Sequence, residues 1–170
     1  MGYTHYYRYV PEHPGFRAAW PRMVEDADRI IERVRSTGIF ITGFDGKPAA
    51  GVDRIAFAGD DDNELSGESF VITPKLADLD PWEREKQGVV TNFCKTERYP
   101  YDVAVTAILL RCHLLAPDAF AIHSDGRWDE DWAQEACWPA TGLNTRDLVA
   151  ELFGDRPTES PFSRFFGEEG

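Results

Sequence analysis

The sequence predicts an α+β fold: a single domain with a small, mainly antiparallel sheet and helices packed on one of its faces. Three observations carry this expectation. Tyr3 to Val10 alternates aromatic and polar residues with the period of two of a half-buried strand. Phe16, Trp20, Met23, Val24, Ala27, Ile30, Ile31 and Val34 recur at helical spacing. Val103 to Leu115 is apolar on nearly every face, which marks a helix enclosed by other elements. Residues 1–154 read as the domain and 155–170 as a C-terminal tail.

The elements follow in order. The first strand ends at Pro11 and Pro14. Pro21 is expected to start the long amphipathic helix, with the residues before it forming a separate turn, and Gly38 to stop it. Arg29, Glu32, Arg33 and Arg35 fall on its wet face. Ile39 to Thr42, Arg54 to Ala58 and Ser69 to Thr73 read as short strands. Asp60, Asp61 and Asp62 lie in the loop joining the last two. They do not alternate around a glycine as a calcium loop does, so a polar loop is expected and no metal. Leu76 to Gln87 reads as an acidic surface turn. Pro100 suits the first position of the central helix, because its missing N–H needs no partner there. Phe120 to His123 reads as a strand closed by the Ser124-Asp125-Gly126 turn. Trp128, Trp132 and Ala136 predict a helix with an apolar seam. Asn144 caps a last helix over Thr145 to Phe153, which Gly154 ends.

Composition bounds the function. The chain has 170 residues, 42% hydrophobic and 13% aromatic, which is ordinary for a folded domain. Thirty acidic against 18 basic residues give a net charge of −12, which opposes general nucleic-acid binding. No apolar run approaches the ~18 residues that a membrane span needs. The three cysteines, Cys94, Cys112 and Cys137, form no C-x-x-C pair, so no structural zinc is expected and an intracellular, cytoplasmic setting fits. The sequence implies no cofactor. The tail aromatics Phe162, Phe165 and Phe166 are expected to dock on the domain or a partner, with a homo-oligomer among the expectations.

Phosphate-loop, dinucleotide, zinc-protease and serine-hydrolase signatures are all missing. Chemistry-bearing residues instead stand in short islands at element ends. These are His5 in the first strand, Glu68 at the foot of another, Cys94, Lys95, Thr96 and Arg98 before the central helix, Asp102 in its first turn, and Ser124 with Asp125. Near a helix N-terminus, Lys95 and Arg98 suit an anion. A cation and a helix start also lower a thiol's pKa, which would favour Cys94 as a nucleophile. Each has a structural reading beside it: a hydrogen-bonded strand histidine, a buried thiol, an acid balancing the helix dipole. At about 100° per residue, Asp102, Thr106 and His113 fall within about 40° of one another as a polar stripe on the apolar helix. His5, Cys94, Lys95, Asp102 and Asp125 are expected to converge on one cleft.

MGYTHY at the start, FCKTERYPYD in the middle and HSDGRWD later resemble a family of uncharacterised proteins of bacteriophages and bacterial genomes. Its members begin MGYTHY and carry FCKT-x-x-x-PYD, then an SDG turn. The resemblance spans the chain to about Trp132. It implies a phage or mobile-element context, including a host-cell cytoplasm, and marks His5, Cys94, Lys95, Thr96, Pro100, Tyr101, Asp102, Ser124 and Asp125. It implies no reaction.

Three functions stay open. The first is an accessory protein binding a small anionic, nucleotide-like ligand near the central helix's N-terminus. The second is a hydrolase with His5 or Asp102 as base and Cys94 or water as nucleophile. The third is a virion or host-protein interaction protein.

Overall fold

The computed structural model describes residues 2–135 and 142–163. Its centre is strand β1, Thr4–Tyr9, which pairs antiparallel on both sides. Strand β4, Val90–Lys95, lies on one side and β5, Phe120–Ser124, on the other. Between them in sequence, β2, Ile55–Phe57, and β3, Phe70–Ile72, form a separate antiparallel pair. Three helices complete the α+β fold: α1, Pro14–Arg35; α2, Asp102–Leu115; and α3, Thr145–Phe153.

Alternation along β1 sorts its side chains. His5, Tyr7 and Tyr9 face inward and are buried, while Tyr6 and Arg8 face outward and are partly exposed. The inward tyrosines carry a hydroxyl into the core, and each finds a partner there, as buried polar groups must. Tyr7 donates to the Val71 carbonyl at 2.6 Å and Tyr9 to that of Thr73 at 3.0 Å, which ties the sheet to the β2–β3 pair. Tyr9 also stacks on Phe16 of α1, with ring centroids 5.3 Å apart. Burial pushes both phenols' pKa values up, so they remain neutral hydrogen-bond donors.

Helix α2 is buried along most of its length, and α1 and α3 both pack on it. Asp102, Thr106 and His113 share one of its sides. Thr106 bonds the Thr145 hydroxyl of α3 at 2.6 Å, and His113 Nδ1 meets the Phe120 carbonyl at 2.7 Å. A buried ion pair joins the helices elsewhere. Arg111 donates from Nε to Asp26 at 2.8 Å and from a terminal nitrogen to Asp155 at 2.5 Å.

Several sequence expectations change. α1 runs unbroken through Pro21, because Phe16 and Trp20 are anchored in the core ahead of it; Trp20 Nε1 donates to Val52 at 2.9 Å. Ile39 to Thr42 is no strand beyond one bridge between Thr42 and Ala58. The Arg35 guanidinium occupies the Ile41 carbonyl, at 2.8 and 3.2 Å, and takes it from any ladder. Residues 128–133 form turns instead of a helix, and Ala136 lies outside the described residues. There the Asp131 carboxylate holds the Arg127 amide at 2.7 Å, while Trp132 Nε1 is drawn to Ser124. The run before the central helix is strand β4 as far as Lys95, and α2 starts at Asp102 after a turn holding Pro100. α3 has the expected Asn144 cap and left-handed Gly154.

Of the tail aromatics, Phe162 packs on Trp132, Trp128 and His123, with centroids 4.9 to 6.0 Å away. Phe165 and Phe166 lie outside the described residues. Among the described residues no helix is long and apolar enough to cross a membrane.

Candidate functional site

Strand register builds the site. His5 stands opposite Cys94 on one side and Ser124 on the other, so one inward row crosses all three strands. The first turn of α2 closes over this row and brings Asp102 to His5. His5 Nε2 is 2.6 Å from Asp102 Oδ1, and His5 Nδ1 is 2.8 Å from Ser124 Oγ. The Thr96 hydroxyl donates to the same Asp102 oxygen.

Ser124 Oγ accepts from the Gly126 amide at 2.8 Å and from Trp132 Nε1 at 3.2 Å, and the Tyr3 hydroxyl bonds it as well. His5 thus sits between a hydroxyl at Nδ1 and a carboxylate at Nε2, and its tautomer sets which nitrogen donates. Ser124, His5 and Thr96 are buried, whereas the Asp102 side chain is 18% exposed. Its Oδ2 makes no hydrogen bond among the described residues, and Asp102 lines a recess.

The recess is small, about 60 Å³, and its lining includes Tyr3, Arg98, Asp102, Asp131, Glu135 and Thr145. Arg98 lies 3.8 Å above the Tyr3 ring and donates to Asp131 at 2.9 Å. Burial and the nearby Asp102 and Asp131 carboxylates push the Tyr3 phenol up. For Asp131 burial acts upward, but the Arg127 amide and the Arg98 guanidinium outweigh it and hold the carboxyl below its usual range. The backbone bearing Arg98 is strained. Glu97 and Arg98 are consecutive non-glycine residues in the left-handed region, with φ of 54° and 64°. The amides of Thr96 and Glu97 both donate to the Tyr3 carbonyl, at 3.0 and 3.2 Å, and fix this turn on β1.

The expected single cleft divides in two. His5, Thr96, Asp102 and Ser124 converge on the inner side, with Cys94 in the same row. Lys95 follows Cys94 along a strand, so its side chain points to the opposite face, where it is exposed and 4.0 Å from Glu97. Asp125 is exposed as well. It accepts from the Thr4 amide at 3.0 Å and the outward Tyr6 hydroxyl at 3.2 Å. Glu68 does not point inward. Its exposed carboxylate accepts the Lys95 amide at 3.0 Å, and only its backbone carbonyl faces the interior. Tyr101 donates to that carbonyl at 2.6 Å and Cys94 Sγ approaches it at 3.4 Å.

Cys94 is not an activated nucleophile. It is fully buried, and burial first, then the Glu68 and Asp102 carboxylates, push its pKa well up against an opposing bond from Tyr101. At the start of α2 the amides of Asp102, Ala104 and Val105 donate to the carbonyls of Tyr99 and Tyr101, so most of the helix N-terminus is already engaged; Val103, between them, lines the recess. Asp61 and Asp62 sit exposed on a 3₁₀ turn, and no group of three or more potential metal ligands occurs among the described residues.

Sequence reasoning missed Tyr3, Asp131, Trp132, Asn144 and Thr145 as members of the site. Trp132 was expected in a helix seam and Asn144 only as a cap. The aromatic Tyr3 at the head of a strand that also holds His5 was the available signal. Comparison with protein-family models, with curated proteins and with solved structures returned no match.

Proposed function

We propose that the protein binds a small molecule in the recess beside Asp102, and that the bound group is an N–H donor or cation. One observation carries this. Asp102 has one oxygen held by His5 and Thr96, its other oxygen makes no hydrogen bond among the described residues, and it lines a recess whose ionic groups are Asp102, Asp131 and Glu135 against Arg98. Such a carboxylate is pre-oriented, so little ordering opposes binding. An anionic ligand is the less favoured form of this reading, since Lys95 is on the other face and Arg98 is engaged by Asp131. The resemblance of the sequence to a bacteriophage family adds an accessory role to the proposal.

The test is thermal unfolding with methylammonium or guanidinium against acetate or phosphate, at matched ionic strength. A ligand at 100 times its dissociation constant stabilises by about 2.7 kcal/mol. The cations are expected to raise Tm, and Asp102→Asn, which keeps an acceptor for His5 and Thr96, to abolish the rise. Equal effects of cations and anions, or none, refute the reading. A second reading, Asp102 as general base on water, is favoured by the Ser124–His5–Asp102 chain of bonds. It requires turnover that Asp102→Asn removes.

A further inference from the structure

Far from the recess, two apolar hollows of about 240 and 420 Å³ meet at Val52. Val52 is 74% exposed, more than any other exposed large hydrophobic residue described. Trp20 Nε1 donates to its backbone carbonyl at 2.9 Å, which ties this loop to α1. Phe44 and Pro48 floor the smaller hollow; Phe16, Trp20, Pro74 and Leu76 floor the larger. Hollows floored by apolar side chains and open on either side of an exposed valine suit an interaction site.

Its charge is opposite to that of the chain. Four cations line the two hollows, Arg17, Lys47, Arg54 and Lys75, against the carboxylates Glu12 and Asp53, on a protein of net charge −12. Arg17 and Arg54 lie 3.6 and 3.8 Å from Glu12 and Asp45. Lys47 and Lys75 make no ion pair or side-chain hydrogen bond among the described residues. They stand one in each hollow, with Val52 between. The fitting occupant therefore carries bulky apolar side chains beside carboxylates.

This chain ends in such a segment. Residues 164–170 read Arg-Phe-Phe-Gly-Glu-Glu-Gly, two adjacent aromatics followed by two acids. We propose that the Val52 surface takes this C-terminal segment from a second copy, with Phe165 and Phe166 in the hollows and Glu168 and Glu169 at Lys47 and Lys75. The proposal is independent of the Asp102 recess. Aromatic anchors inside a charged rim are the usual economy of a small interface.

Full-length protein tests it by sedimentation over a range of concentrations. Self-association is expected, weakened about tenfold or more by Lys47→Glu with Lys75→Glu. Glu168→Lys with Glu169→Lys should weaken it similarly, and a mixture of the two doubly substituted proteins should restore it in heterodimers. In a second measurement, Phe165 is replaced by p-benzoylphenylalanine and irradiated. Cross-links between chains to the Phe44–Val52 or Phe16–Trp20 regions support the proposal. A monomer at every concentration, no rescue on mixing, or cross-links only within one chain or elsewhere overturn it.

Discussion

His5 Nε2 lies 2.6 Å from Asp102 Oδ1 across 97 positions of sequence, and it is the only ring nitrogen of that histidine free to do so once Ser124 has taken the other. His5→Ala removes one partner from the buried Ser124 hydroxyl and one from Asp102. Unsatisfied buried groups and the emptied volume together cost about 3 kcal/mol. Urea unfolding checks this, and a loss below about 1 kcal/mol would mean that the network adds little to stability.

Cys94 should be silent towards thiol reagents in the folded protein. Its sulfur is buried and its pKa is raised by burial and by two carboxylates. Labelling at Cys94, followed by peptide mass spectrometry, is expected to track the rate of opening and to become fast only in denaturant. Rapid native labelling would reinstate it as a reactive residue.

The Asp26–Arg111 pair predicts strong non-additivity. Asp26→Ala takes the buried carboxylate from the Arg111 guanidinium, leaving it only the half-exposed Asp155, and is expected to cost about 3 kcal/mol. Asp26→Leu combined with Arg111→Met removes both charges and should cost less than Asp26→Ala alone. A double variant as unstable as the sum of its parts would show no coupling.

Glu97 is held at φ 54°, where glycine is unstrained. Glu97→Gly should raise stability by a few tenths to about 1 kcal/mol, net of the extra freedom given to the unfolded chain. The exposed partner lost, Lys95 at 4.0 Å, contributes little. A destabilised variant would show that the Glu97 side chain itself holds the turn.

Asp131 makes folding depend on acid. Its folded pKa is depressed, so the folded state favours the ionised carboxylate and the unfolded chain binds the proton more readily. The contribution is therefore fully present above the unfolded value of about 3.9 and lost as pH falls through the folded one. Asp131→Asn should flatten that part of the stability profile between pH 5 and acid, as urea titrations at stepped pH would read; an unchanged slope there contradicts it.

Elements with local signals were legible. The Asn144 cap and Gly154 stop bound α3 as expected, and period-two alternation identified β1. The site was half legible, and the reason is one missed strand. Taken as an island before the central helix, Cys94, Lys95 and Thr96 form a cluster; with β4 running to Lys95, Cys94 and Lys95 alternate between faces and Lys95 leaves the site. Trp132 and Asp131 join it through contacts with Ser124 and Arg98 that no local pattern announces. Pro21 misled because its cost to α1 is local, whereas the anchoring of Phe16 and Trp20 that overrides it is tertiary.

The central place of β1 in the sheet sets an order on assembly. His5 meets Ser124 only at a separation of 119 positions, and Cys94 at a shorter but still long one. During synthesis β1 emerges with neither edge covered, and it stays so while α1, β2 and β3 follow. Its first neighbour arrives with residues 90–95 and its second with 120–124. Until then a Tyr-rich strand with two open edges is available to other chains, so nascent protein is most exposed to strand-to-strand aggregation before β5 is made. High contact order also makes refolding slow relative to a helical domain of this size.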